Sequence, residues 1–188
     1  MVKCLKLTHF QTMNFKTLIT LLILAFSSPA WAEVDSINVS SQDSVVASEA
    51  TSVVDKQWTN NIPLIIDKAY ELTGIKYKLG GSKPETGFDC SRFVKYVFEQ
   101  ALNLSLPPSA RSLSKIGETI KFEDLQPGDL VFFNTRKSKF SHVGIYVGNN
   151  EFIHAPRTGK TIRVENLTKN YWLKRFNGAT RVDPAETL

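Results

Sequence analysis

Two cysteines and three histidines are the chain's full stock of thiols and imidazoles. Cys4 and His9 lie in a leader that the sequence marks for removal, which leaves Cys90, His142 and His154 to do chemistry. Cys90 follows Asp89 and heads an apolar stripe (Phe93, Val94, Val97, Phe98, Ala101, Leu102) spaced by three and four residues, the pattern of a helix. Asp89 is placed to cap that helix through backbone N–H groups. A thiol at a helix start feels the positive end of the dipole, which favours the thiolate. Alone, such a cysteine reads as inert packing or as a functional thiol.

The histidines decide between those readings. Val143, Ile145 and Val147 alternate with His142, Gly144 and Tyr146; Gly148-Asn149-Asn150 is a turn, and Phe152-Ile153-His154 returns. A three-residue turn pairs Val147 with Glu151 and Gly144 with His154, so His142 lies diagonal to His154 on one face. A two-residue loop puts the rings on opposite faces, and the hydrophobic alternation favours the first register. One helix-capped thiol and two imidazoles on one face make a nucleophile, a base and an orienting group.

The elements that must position these groups follow from the same periodicities. Asn61-Ile62-Pro63 opens a helix whose stripe is Ile62, Ile65, Ile66, Ala69 and Leu72, and Gly74 stops it. The cysteine helix comes next, then a short helical turn from Ser112 to Ile116. After Pro127-Gly128, Leu130-Val131-Phe132-Phe133 reads as a strand buried on both sides. The histidine hairpin follows, then strands at Thr161–Val164 and Ala179–Val182. Helices first and an antiparallel sheet afterwards predict an α+β fold. Asp129 reads as turn chemistry, and Tyr171, Trp172, Arg175 and Phe176 as aromatic packing under the sheet.

Five ordered motifs carry a family resemblance: Tyr77-Lys78-Leu79-Gly80-Gly81, Gly87–Val94 around Asp89-Cys90-Ser91, Gln126–Phe133, Ser141–Gly148 and Phe152–Ala155. They resemble the NlpC-type cell-wall peptidases, papain-like cysteine endopeptidases that cut peptidoglycan stem peptides. The likeness runs from about Ile62 to Val182. It implies a papain-like core, Cys90 as nucleophile, His142 as base and His154 as the third polar residue. It also implies Tyr77 beside the oxyanion site, with Asp89, Ser91 and Ser141 lining the substrate pocket. No cofactor and no metal are implied. The expected bond is γ-D-glutamyl to a diamino acid or a D-alanyl crosslink. Arg92 stands where the family usually has Gly; two positions after Cys90 on a helix, it is expected to project away from the thiol with Lys95 and Glu99. Leu106-Pro107-Pro108 replaces the family's Leu-Pro-Arg, with Arg111 nearby.

The surrounding chain fits an exported enzyme. Residues 1–32 hold Lys3, Lys6 and Lys16, a short apolar centre and Ala30-Trp31-Ala32, the order of a secretory signal peptide; Met13 is an alternative initiator. Residues 33–55 have five acids and no base, an exposed tether. Residues 56–188 carry 20 basic and 13 acidic groups, suited to an anionic extracytoplasmic polymer and large enough for one core. No apolar run is long enough to span a bilayer. Peptidoglycan stem peptides are therefore the expected partner, with no nucleic acid, no membrane anchor after cleavage, and a periplasmic or cell-envelope location. The rivals are an amidase or acyltransferase on the same fold, a Cys-His-His metal module, and an inactive wall-binding relative.

Overall fold

The computed structural model describes residues 59–136 and 138–182. The expected leader and acidic tether lie outside the described residues. Helix α1 (59–71) starts ahead of the predicted Asn61 and takes Pro63 into its N-terminal part, where fewer ladder bonds are at stake. It buries Ile65, Ala69 and Leu72, and Gly74, at φ +88°, turns the chain out of it. A short hairpin of β1 (Ser82–Lys83) and β2 (Gly87–Phe88) then delivers the chain to α2 (Cys90–Leu102). Helix α2 ends on Asn103 in the left-handed region, whose N–H reaches back to the Glu99 carbonyl.

The expected turn at Ser112–Ile116 lies earlier, as α3 (Ala110–Leu113), because Ser109 accepts from the Ser112 N–H and fixes the start there. Six strands follow it and form one sheet: β3 (Glu118–Ile120), β4 (Leu130–Phe133), β5 (His142–Gly148), β6 (Glu151–His154), β7 (Arg163–Asn166) and, after α4 (Asn170–Leu173), β8 (Phe176–Arg181), with all pairs antiparallel in the order β3-β8-β4-β5-β6-β7. The fold is α+β, as expected. The strand expected at Thr161–Val164 lies two residues later, since Thr161 makes only an isolated bridge to Lys76.

Core residues occupy both faces of this sheet. Phe93, Val94, Val97 and Phe98 of α2 pack with Leu130, Phe132, Val143, Ile145 and Ile153 on one face. On the other, Val131, Phe133, Tyr146, Phe152 and Trp172 form a second cluster. Strand β4 is buried throughout because it serves both, which explains its unbroken apolar run. Asp129, fully buried just before β4, accepts from the Gln126 N–H at 2.7 Å and from Arg181 Nε and Nη2 at 2.8 and 2.9 Å. The turn role expected of it is present, joined by an ion pair that clamps β4 to β8.

Candidate active site

The hairpin of β5 and β6 brings the histidines together by a route other than the expected one. Its turn has two residues, Asn149 and Asn150 at φ 50° and 58°, and Gly148 pairs with Glu151. Val147 does not pair with Glu151. Instead the register shifts between Tyr146 and Gly148, leaving Val147 as a bulged extra residue. The bulge restores the offset, so Tyr146 pairs with Phe152 and Ile145 with Ile153. His142 Nε2 then stands 2.7 Å from His154 Nδ1, with the rings nearly perpendicular.

Both rings are buried, and an aromatic wall fixes them. Trp172 lies almost parallel to His142, 6.0 Å between centroids and 20° between planes, and edge-on to His154 at 5.1 Å and 88°. Phe152 sits 4.8 Å from His154, and Phe133 6.2 Å from His142. Trp172 was legible as packing, and it packs against the site. His154 Nε2 is buried with no polar partner among the described residues. If His142 donates from Nε2, His154 accepts at Nδ1 and carries its own proton on Nε2. That leaves His142 Nδ1 as the nitrogen able to serve a thiol.

Burial sets the ionisation of these groups. It pushes His142 down to about 4, with the Arg136 charge acting in the same direction. His154 is held well below the ordinary histidine value by burial, then by His142 and Arg163. Burial pushes the Cys90 thiol up to about 11, followed by the Asp89 carboxylate, while backbone N–H bonds from Val143 and Ser91 pull weakly the other way. The helix start favours the thiolate, as expected, through the Ser91 N–H, but desolvation and the capping carboxylate outweigh it and hold the thiol protonated more firmly than usual. The Val143 contact also locates the sulfur, against the residue that follows His142.

Asp89 is the N-cap, accepting from the Arg92 N–H at 2.9 Å. Its other oxygen accepts from the Gly80 N–H at 3.1 Å, tying the Tyr77–Gly81 loop to the head of α2. Arg92 does not project away with Lys95 and Glu99. Its Nη1 turns back to 2.5 Å from Asp89 Oδ2, because helical side chains lean toward the N-terminus and a carboxylate waits there. Lys95 instead reaches Ser105.

Tyr77 is buried, its hydroxyl accepting from Arg136 Nη2 at 3.3 Å. The hydroxyls of Ser91 and Ser141 are engaged within the protein. Ser91 Oγ lies 2.8 Å from the Pro108 carbonyl and 3.2 Å from Asp89 Oδ1. Ser141 Oγ accepts from the N–H groups of Thr135 and Arg136 at 3.0 and 3.2 Å, closing the loop that presents Arg136. Beyond His142 opens a cleft of about 540 Å³ lined in part by Arg136, Arg157, Arg163, Glu165, Lys169 and Trp172. Arg157 and Arg163 were not legible as site residues, since isolated arginines in a β-rich segment carry no spacing signal.

A thiol held by the backbone of Val143, next in sequence to an imidazole that is bonded to a second one, suits acyl transfer, and known hydrolases are similar to this chain. Over 126 residues the chain is 41% identical to Gamma-DL-glutamyl hydrolase from Bacillus subtilis, covering 66% of this chain and 30% of that protein. It is 39% identical over 126 residues to Murein DD-endopeptidase MepH from Escherichia coli, covering 65% and 46%. The chain therefore spans less than half the length of these two relatives. A solved NLP/P60 family protein from Staphylococcus aureus superposes with a TM-score of 0.59 at 35% identity, covering 65% of this chain and 41% of that one. The NlpC/P60 domain of the peptidoglycan hydrolase SagA gives 0.57 at 29%, covering 64% and 98%. The NlpC/P60 family model matches residues 74–181, which hold Cys90, His142, His154 and the eight strands of the described residues, and on that match the chain belongs to the NlpC/P60 family.

Proposed function

We propose that the protein is an exported peptidoglycan endopeptidase that hydrolyses an amide of the stem peptide or its crosslink through Cys90, His142 and His154. The observation that carries this reading is the 2.7 Å bond from His142 Nε2 to His154 Nδ1, with the helix-capped thiol held by the backbone of Val143, the residue after His142. The murein and γ-glutamyl activities named for the relatives support the substrate class.

In this reading the Cys90 sulfur attacks the amide carbonyl as its proton passes to His142 Nδ1. The imidazolium, donating from Nε2 to His154, is steadied by a neighbour that stays neutral and only accepts. The tetrahedral intermediate collapses as His142 returns the proton to the leaving nitrogen, and an amine departs. Water, activated by the same ring, then releases the acyl group from sulfur. Tyr77 stands by the developing oxyanion, and Asp89 holds the cap and the Gly80 loop in register. Ser91 and Ser141 act through the backbone they fasten.

Defined stem peptides, crosslinked and uncrosslinked, followed by mass analysis of the products, test the reading. The wild-type chain is expected to yield a new amine and a new carboxylate, to be indifferent to a chelator, and to lose activity as Cys90→Ala. Full activity of Cys90→Ala overturns the thiol mechanism, and loss of activity to a chelator would redirect it to a metal.

A further inference from the structure

The cleft beyond His142 holds a chemistry that the thiol mechanism does not use. His142 and Trp172 form part of its wall, which also carries four cationic residues, Arg136, Arg157, Arg163 and Lys169, and one carboxylate, Glu165. Arg163 Nη2 lies 2.6 Å from Glu165 Oε1 and Lys169 Nζ 3.1 Å from Oε2, so that carboxylate is already shared by two cations. Arg136 meets a neutral acceptor, the Tyr77 hydroxyl. Arg157 has no acidic partner among the described residues. Arg136 and Arg157 are both exposed residues. A concave surface with surplus positive charge concentrates anions, and a guanidinium fork matches a carboxylate in plane and spacing.

The proposed mechanism says which half of a substrate enters. His142 returns its proton to the leaving nitrogen, so the departing amine lies on the side of the sulfur where that ring stands. The cleft wall includes His142 but not Tyr77, Asp89, Cys90 or Ser91. We propose that the cleft receives the amine side of the scissile bond, and that Arg157 with Arg136 holds a carboxylate borne by the leaving amino acid. This rests on the peptidase reading and sharpens it. In a D-alanyl crosslink the carbon bearing the leaving nitrogen also bears a free carboxylate. At the γ-glutamyl bond of a tetrapeptide, the corresponding carboxyl is capped by the next residue. A carboxylate read on the carbon that bears the leaving nitrogen is one that the crosslink offers and the γ-glutamyl bond does not, so on this proposal the crosslink is the favoured bond.

Two crosslinked peptides with the same D-alanyl acyl side test it, one with a free carboxylate beside the scissile nitrogen and one with that group as a carboxamide. The full chain is expected to favour the carboxylate peptide by about tenfold or more in kcat/KM, in the range of one charge-assisted hydrogen bond. Arg157→Gln is expected to shrink that ratio to below about threefold, and Arg157→Lys to keep an intermediate preference. Equal cleavage of both peptides by wild type overturns the cleft assignment and leaves the thiol mechanism standing. Cleavage of neither crosslinked peptide, with the γ-glutamyl bond of a tetrapeptide cut instead, also overturns it. No cleavage of any peptide removes both readings. An undiminished ratio in a folded Arg157→Gln protein, checked by circular dichroism, rejects Arg157 as the reader.

Discussion

Cys90 and His142 are shifted in opposite directions, the thiol up to about 11 and the imidazole down to about 4. At neutral pH both are uncharged in the free protein, and proton transfer has to accompany attack. The base is lost only as pH falls through the His142 value, and the thiol ionises only as pH rises toward its own. We expect kcat/KM, which reports the free enzyme, to stay nearly flat from about pH 5 to 8. A steep acid limb near the ordinary histidine value of about 6.5 would contradict this. Alkylation by iodoacetamide should accelerate steadily above neutrality, where a preformed thiolate–imidazolium pair would give a plateau. The two histidines should separate by role. His142→Ala removes both proton acceptance and return, a loss of at least about 10²–10⁴-fold. His154→Asn keeps an acceptor for Nε2 and should lose about 10–100-fold, with His154→Ala between them. Turnover by His142→Ala exceeding that of His154→Asn would reverse the assignment.

Among the elements, the hairpin of β5 and β6 shows what was legible in the sequence and what was not. Alternation along 142–154 made the shared face readable, because a buried face tolerates one register. The turn was misread, since a bulge at Val147 and a two-residue turn give the same offset as a three-residue loop. Local spacing reports their sum only. Helix α2 and its cap were readable from Asp89 and the stripe behind it. Strand β3 and helix α4 were not, being short pieces held by tertiary contacts. Arg92 was misplaced because helical angle ignores a long side chain's reach. Deleting Val147 should close the bulge and still leave Tyr146 opposite Phe152 and Ile145 opposite Ile153, so a folded product should keep the histidine pair and activity; an inactive folded product would mean that the bulge itself shapes the site. Gly144→Ala tests the same spacing more gently. A Cβ there would stand 2.7 Å from Phe152 Cδ2 and 3.2 Å from His154 Cβ. We expect a cost of about 1–3 kcal/mol in denaturant unfolding and a larger proportional loss of kcat. A fully active Gly144→Ala protein would mean that the His154 position has slack.

For the molecule as a whole, the excess of base over acid in residues 56–188 should govern its encounter with an anionic wall. Cosedimentation of Cys90→Ala protein with insoluble peptidoglycan should weaken steeply between about 0.05 and 0.3 M salt, as the screening length shortens; salt-independent retention would point to contacts of another kind. Stability has a clamp of its own in the Asp129–Arg181 pair. Breaking it with Asp129→Ala should cost about 3 kcal/mol by thermal or denaturant unfolding, since the guanidinium loses its buried counter-charge. One consequence follows from the sheet having a core on each face. The cysteine belongs to the helix layer on one side, while the histidine rings lie among the aromatic residues on the other. Neither layer holds a nucleophile and a base by itself. Turnover therefore serves as a gauge of layer docking: an expanded state that kept its helices and strands but let the layers drift would be silent. Heat inactivation should coincide with loss of the near-ultraviolet signal of Trp172 and its aromatic neighbours, ahead of any loss of backbone structure.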